Sequence, residues 1–184
     1  MAMTVRPAAP LDAEAVLPLA LVKQQVRVTS SDDDVLLEQL RLTALSQIER
    51  VCGRSLQRRA WTVTFDRFAD TARLPIGPVS SVTGVSYLDA AGAAQAVLSA
   101  DWRLSGDVLR AASVWPFARG EVTVTVTAGW LDAKAEAPEL VTAALMLVAH
   151  WYQNREAVVT GTIATALPLA VDALISTHRA PVIG

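Results

Sequence analysis

The sequence predicts an α+β protein: an antiparallel helical bundle with a compact antiparallel β-sheet unit inserted into it, and a helical tail at the C-terminus. Three observations carry this. Leu37, Leu40, Ala44, Ile48 and Val51 recur at the spacing of one helix face. Trp61, Val63 and Phe65 alternate with Thr62, Thr64 and Asp66, and Val122, Val124 and Val126 alternate with Thr123, Thr125 and Thr127, which is the period of half-buried strands. Leu140 to Tyr152 is apolar almost all round the helical wheel, broken only by Thr142 and His150, so the pattern expects a helix buried on every side.

Taken in order, residues 1–10 carry Pro7 and Pro10 and read as a flexible N-terminal arm. Val16, Leu17, Ala20 and Leu21 begin a first helix that ends near Val26, with Pro18 close to its start. Ser30-Ser31-Asp32-Asp33-Asp34 is an N-terminal signal for the second helix: hydroxyls to cap free N–H groups and carboxylates at the positive end of the helix dipole. Arg50 in the last turn and Gly53 just past it stop that helix. Ala60 to Ala128 reads as five or six strands, with Asp89-Ala90-Ala91-Gly92 and Ser105-Gly106-Asp107 as hairpin turns. Pro138 opens the apolar helix, where its missing N–H costs nothing, and Gln153-Asn154-Arg155-Glu156 closes it. Residues 157–166 have no helical period; Leu167-Pro168 then opens a short helix bearing Leu169, Val171, Leu174 and Ile175. The predicted division is 1–10, the arm; 11–156, the main domain, with helices in 11–53 and 136–156 and the β unit in 60–130; and 157–184, the tail.

The balance of residues narrows the function. The chain of 184 residues is 52% hydrophobic and only 18% charged, against about 25% charged in an average domain, which favours burial against partners. A net charge of −2 gives no global pull toward nucleic acid or an anionic membrane. One cysteine, Cys52, excludes an internal disulfide framework. Asp12 and Glu14 fall where a secretion signal would be uncharged, and the apolar run is shorter than the roughly 20 residues that span a bilayer. No membrane partner and no secretion signal are expected.

The sequence offers little chemistry. Two histidines and one cysteine cannot assemble a zinc set of the usual spacing, and Asp32-Asp33-Asp34 lacks the alternate spacing and glycine turn of a calcium loop. No phosphate-cradling glycine loop and no nucleophile elbow occurs. No catalytic residue, metal or cofactor is expected. Cys52 reads as a small hydrophobe and His150 as a hydrogen-bonded core residue; the alternative is a cysteine hydrolase using the two as a dyad. Arg50, Arg54, Arg58 and Arg59 form a basic cluster suited either to a subunit interface or to DNA phosphates, which leaves a nucleic-acid-binding module as a further alternative.

The order of signals LALVKQQVRV, SDDDVLLEQL, IERVCGRSL, LPIGPVSSVTGVSYLDAAG, VTVTVTAGW, APELVTAALMLVAHWYQNREAV and LPLAVDALISTHR resembles the head–tail connector, or adaptor, family of long-tailed bacteriophages and phage-derived gene transfer agents. The resemblance runs from about Leu19 to Arg179. It implies a structural ring subunit, usually one of twelve copies, and not an enzyme. The ring would lie under the portal protein in the neck of the particle, meet a tail-side stopper or neck protein, and let double-stranded DNA pass through its lumen without sequence-specific binding. Assembly would take place in the bacterial cytoplasm. The tail would be the portal-docking element, through Leu169, Val171, Leu174, Ile175 and Arg179, mobile in the free subunit and ordered on docking.

Overall fold

The computed structural model describes residues 3–154 and 169–179. It is an α+β protein whose chain divides into two compact units. One comprises Met1–Leu11 and Gln57–Trp130, the other Asp12–Leu56 and Leu131–Gly184.

The first unit is built of strands. β1 (Met3–Pro7), β2 (Arg59–Phe65), β4 (Val79–Leu88), β5 (Ala94–Ala96) and β8 (Val122–Ala128) form a five-stranded sheet in the order β1-β2-β8-β4-β5. β3 (Thr71–Arg73), β6 (Trp102–Ser105) and β7 (Val108–Ala111) form a second sheet in the order β3-β7-β6. Every described strand pair is antiparallel. Central strand β8 alternates as its sequence requires: Val122, Val124, Val126 and Ala128 are buried and the threonines between them half-buried. Trp61, Val63 and Phe65 of β2 share that core with Ala72 and Leu109 of the second sheet. Both expected hairpins form. In one, Asp89 Oδ1 accepts from the N–H groups of Ala91 and Ala93, each at 2.9 Å. In the other, Gly106 adopts φ 57° between the paired residues Ser105 and Val108.

Two expectations for this unit change. The strands are more numerous than five or six and occupy two sheets, because β3 and β5 are too short to show a period in sequence. The N-terminal arm is no loose end. Met3 to Pro7 pairs residue for residue with Phe65 to Trp61, and Ala8 N–H continues the ladder to Ala60 O at 2.9 Å. Its proline lies at the strand end, on an edge, where a lost donor is tolerated.

The second unit comprises α1 (Ala13–Val16), α2 (Leu19–Val26), α3 (Asp34–Cys52), α4 (Ala133–Glu136), α5 (Pro138–Gln153) and α6 (Leu169–Ser176). α5 is the centre, packed against α2, α3, α4 and α6. Leu140, Ala143, Ala144, Leu147 and Val148 are fully enclosed, and burying each leucine is worth about 1.5–3 kcal/mol. The expectation of burial on every side fails. Thr142 and His150 are exposed, and Leu145, Met146, Ala149, Trp151 and Tyr152 are only half-buried. His150 is therefore no core residue; its carbonyl accepts from Asn154 Nδ2 at 2.8 Å at the helix end.

The aspartate run before α3 also acts differently from a simple cap. Asp33 occupies the cap position with no capping side-chain bond; its carboxylate accepts from the Tyr152 hydroxyl, tying the start of α3 to the end of α5. Asp34 pairs with Lys23 of α2 at 2.7 Å. Gly53 ends α3 as expected, in the left-handed conformation at φ 61°.

A charge cluster unseen in the sequence reading joins α1 and α2 to α3. Arg41 is 4% exposed and donates to Leu17 O at 2.8 Å, to Glu14 at 2.5 Å and to Glu38. Glu14 also accepts the Leu19 N–H at 3.1 Å. The Arg41 hydrogen bond, aided by that backbone donor, holds the Glu14 carboxyl below its usual range.

Candidate functional site

Cys52 and His150 do not make a reactive pair. Cys52 is 1% exposed, with its Sγ 4.0 Å from Ile175 O, whereas His150 faces solvent. Burial pushes the Cys52 thiol up to about 11 against the lowering pull of Arg179 and Arg54. A nucleophilic cysteine needs the opposite, an exposed and easily formed thiolate. The hydrolase alternative is thus set aside by the geometry of its own two residues. Among the described residues no group of three histidine, cysteine or carboxylate side chains could hold a metal ion, and no helix is long and apolar enough to cross a membrane.

The basic cluster divides. Arg50 and Arg54 belong to the helical unit, Arg58 and Arg59 to the sheet unit. Arg50 is exposed and donates to Gln47 one turn back. Arg54 Nε donates to His178 O at 3.1 Å. Arg58 is exposed, and its backbone N–H donates to Trp130 O at 2.7 Å. Arg59 lies 4.5 Å from the Trp61 ring centroid and donates to Ala9 O at 3.3 Å, holding the chain that leaves β1. Arg54 and Arg59 are thus engaged within their own units, and Arg50 and Arg58 present guanidinium groups at exposed positions.

The expected docking helix turns its best side inward. Val171 and Ile175 are fully buried in the helical unit, with α6 packed on α5 and α3. Arg179, just past α6, pairs with Asp172 of that helix at 2.5 Å. His178 Nε2 lies 3.2 Å from Glu139 Oε2 at the start of α5. The expectation that Val171 and Ile175 await a partner is therefore corrected: these two residues of the apolar stripe are covered by the subunit itself. Leu169, 83% exposed, and half-buried Leu174 remain outward. The expected tether, residues 157–166, lies outside the described residues.

Gly129 and Gly53 have local reasons. Gly129 of Ala128-Gly129-Trp130 adopts φ +115°, and a Cβ there would stand 2.1 Å from Gln57 O. Its N–H donates to Pro78 O at 2.8 Å, so the strand after Gly77-Pro78 and the end of β8 are joined at this residue. The Gly53-Arg54 pair ends α3 and then anchors the turn after α6.

The chain belongs to the head completion protein family, whose model matches residues 16–180, and it is a structural head–tail adaptor of that family, not an enzyme. It is similar over 98% of its length to a chain in the neck of an empty GTA particle computed with C6 symmetry, with 27% identity, 98% of that chain covered and a TM-score of 0.80. A chain of the virion of a native gene transfer agent particle matches with 28% identity, 98% of this chain and 97% of that one covered, and a TM-score of 0.75. A chain of the neck of a native GTA particle computed with C12 symmetry matches with 26% identity, 98% of both chains covered and a TM-score of 0.75. No curated protein matches the chain significantly.

Proposed function

We propose that this protein is the subunit of a ring, of about twelve copies, in the neck of a phage or gene transfer agent particle. The ring joins the portal of the DNA-filled head to a tail-side stopper or neck protein, and double-stranded DNA passes through its lumen. The observation that carries the reading is the likeness over 98% of both chains to the neck subunits described above. The half-open apolar side of α5 supports it. Leu145, Met146 and Ala149 are more apolar than a lone subunit needs at partly exposed positions, and a head-to-tail contact between copies closes into a ring when the rotation permits.

Docking to the portal falls to the outer side of α6, through Leu169 and Leu174. Val171 and Ile175 act as the anchors that hold this helix on the subunit, and Arg179 braces its end through Asp172. Arg50 and Arg58, exposed in their separate units, serve neighbouring copies or passing DNA. Co-sedimentation of purified protein with portal rings tests the reading. Binding is expected, with ring-shaped particles visible by electron microscopy. A protein that stays monomeric and ignores portal would overturn it. Leu169→Asp in the same experiment should weaken portal binding while leaving the subunit folded.

A further inference from the structure

The outer face of the β3-β7-β6 sheet carries an arrangement that the sheet's own stability does not explain. Arg103 of β6 stands directly opposite Arg110 of β7. Arg73 of β3 lies on the far side of β7, paired with Val108, which is two residues from Arg110. By strand alternation, Ala72, Leu104 and Leu109 face the core, with Leu109 only 2% exposed, and the three arginines face solvent. Like charges directly opposite across a sheet are destabilising. Among the described residues none of the three side chains has an ion-pair or hydrogen-bond partner. The rest of the face is Thr71, Ser105 and half-buried Val108, with no acid on it; Asp70, Asp101 and Asp107 lie at its ends, and the Asp107 carboxylate accepts the Val79 N–H at 3.0 Å.

We infer that this face binds the phosphate backbone of duplex DNA. Three guanidinium groups held on adjacent strands match closely spaced anions, and arginine pairs with phosphate oxygens in bidentate fashion. Threonine and serine hydroxyls beside them are further phosphate donors. A protein partner is disfavoured because the face lacks the aromatic and apolar centre that anchors protein interfaces. Nothing here reads base edges, so binding is independent of sequence. The choice of DNA as the anion rests on the neck-ring reading above.

The test is titration of a fluorescent random-sequence duplex with the full-length protein, followed by anisotropy at several salt concentrations. Three phosphate contacts per subunit predict a loss of roughly 40-fold in affinity between 50 and 200 mM salt, and each single Arg→Gln change should lower the log–log salt slope by about 0.9. R73Q/R103Q/R110Q should abolish binding and melt no lower than the parent, since it removes a like-charge pair. Wild-type protein that fails to bind duplex at low salt, or a triple variant that binds as well as the parent, would overturn the inference. So would binding of polyglutamate with the same arginine dependence and no binding of duplex, which would assign the face to an acidic protein. Portal co-sedimentation of the triple variant separates the two proposals: a variant that still assembles but never binds DNA leaves the ring reading intact, and loss of portal binding by the parent tells against the ring alone.

Discussion

Arg54 Nε donates to the carbonyl of His178 at 3.1 Å, so the second residue past α3 holds the turn past α6, across most of the chain. Together with the His178–Glu139 pair at 3.2 Å, it fixes the C-terminal end of this helix. Arg54→Ala removes a charge-assisted bond worth about 1.5–3 kcal/mol. Hydrogen exchange should show α6 amides losing protection while the sheet unit is unchanged. Equal loss of protection in both units would mean the residue acts on global stability instead.

Gly129→Ala should be the most damaging small substitution in the sheet unit. The new Cβ meets the Gln57 backbone at 2.1 Å, and φ +115° is closed to ordinary side chains. A loss of several kcal/mol or failure to fold is expected, read as a lower urea midpoint or insoluble expression. Gly92→Ala, also at positive φ but with open space around it, should cost much less.

Cys52 should resist thiol reagents at neutral pH until the protein unfolds. Its thiol is raised to about 11 by burial, so the folded state holds the proton longer than the unfolded chain. The resulting stability is complete below the ordinary thiol value and is lost as pH rises toward and through about 11. Cys52→Ala should remain folded and should flatten that alkaline decline in urea midpoint. Rapid labelling of the native protein at pH 7 would contradict the burial.

Glu14 has the opposite sign. Its carboxyl is lowered chiefly by Arg41 and next by the Leu19 N–H. The associated stability is present above the ordinary glutamate value and is lost as pH falls through the lowered one. Glu14→Gln should reduce acid sensitivity, measured as the change in urea midpoint between neutral and acid pH. An unchanged acid limb would show that the Arg41 bond does not control it.

Two leucines of α5 should part company. Leu147→Asp buries an unpaired charge at a fully enclosed position, which costs several kcal/mol, and should leave no folded protein. Leu145→Asp sits at the half-open side and should melt cooperatively while associating less with other copies by analytical ultracentrifugation. Identical behaviour of the two variants would mean that α5 has no open side.

The helices and hairpins were legible because each rests on local chemistry. Gly53 and Pro138 mark ends through backbone geometry, and the Val/Thr alternation of β8 states its own burial. What was missed depends on residues far apart in the chain. β1 has a proline and an arginine in five residues and becomes a strand only because β2 offers a ladder. Arg41 occupies a core-facing step of the Leu37 stripe, a signal present in the sequence, but its partners Glu14 and Leu17 lie on other helices. The apolar stripe of α6 was visible, yet sequence alone does not say whether an own helix or a foreign one covers it. Of the candidate arginines, grouping by proximity in sequence drew together residues of two units, whereas Arg73, Arg103 and Arg110 meet only through strand register.

The 2.7 Å bond from Arg58 N–H to Trp130 O also bears on how the chain folds as it leaves the ribosome. α5 emerges only after the entire sheet unit, so the helices before residue 57 must wait for the centre of their core. Direct closure of so long a loop carries an entropic penalty and slows folding. Once the strands from 57 to 130 have zipped, however, Arg58 and Trp130, at the two ends of the inserted segment, are already joined. The inserted unit then acts as a clasp, and the last closure has only a short span left to bridge. Destabilising the clasp should therefore delay the helices as well as the strands, even though no helix residue has been altered.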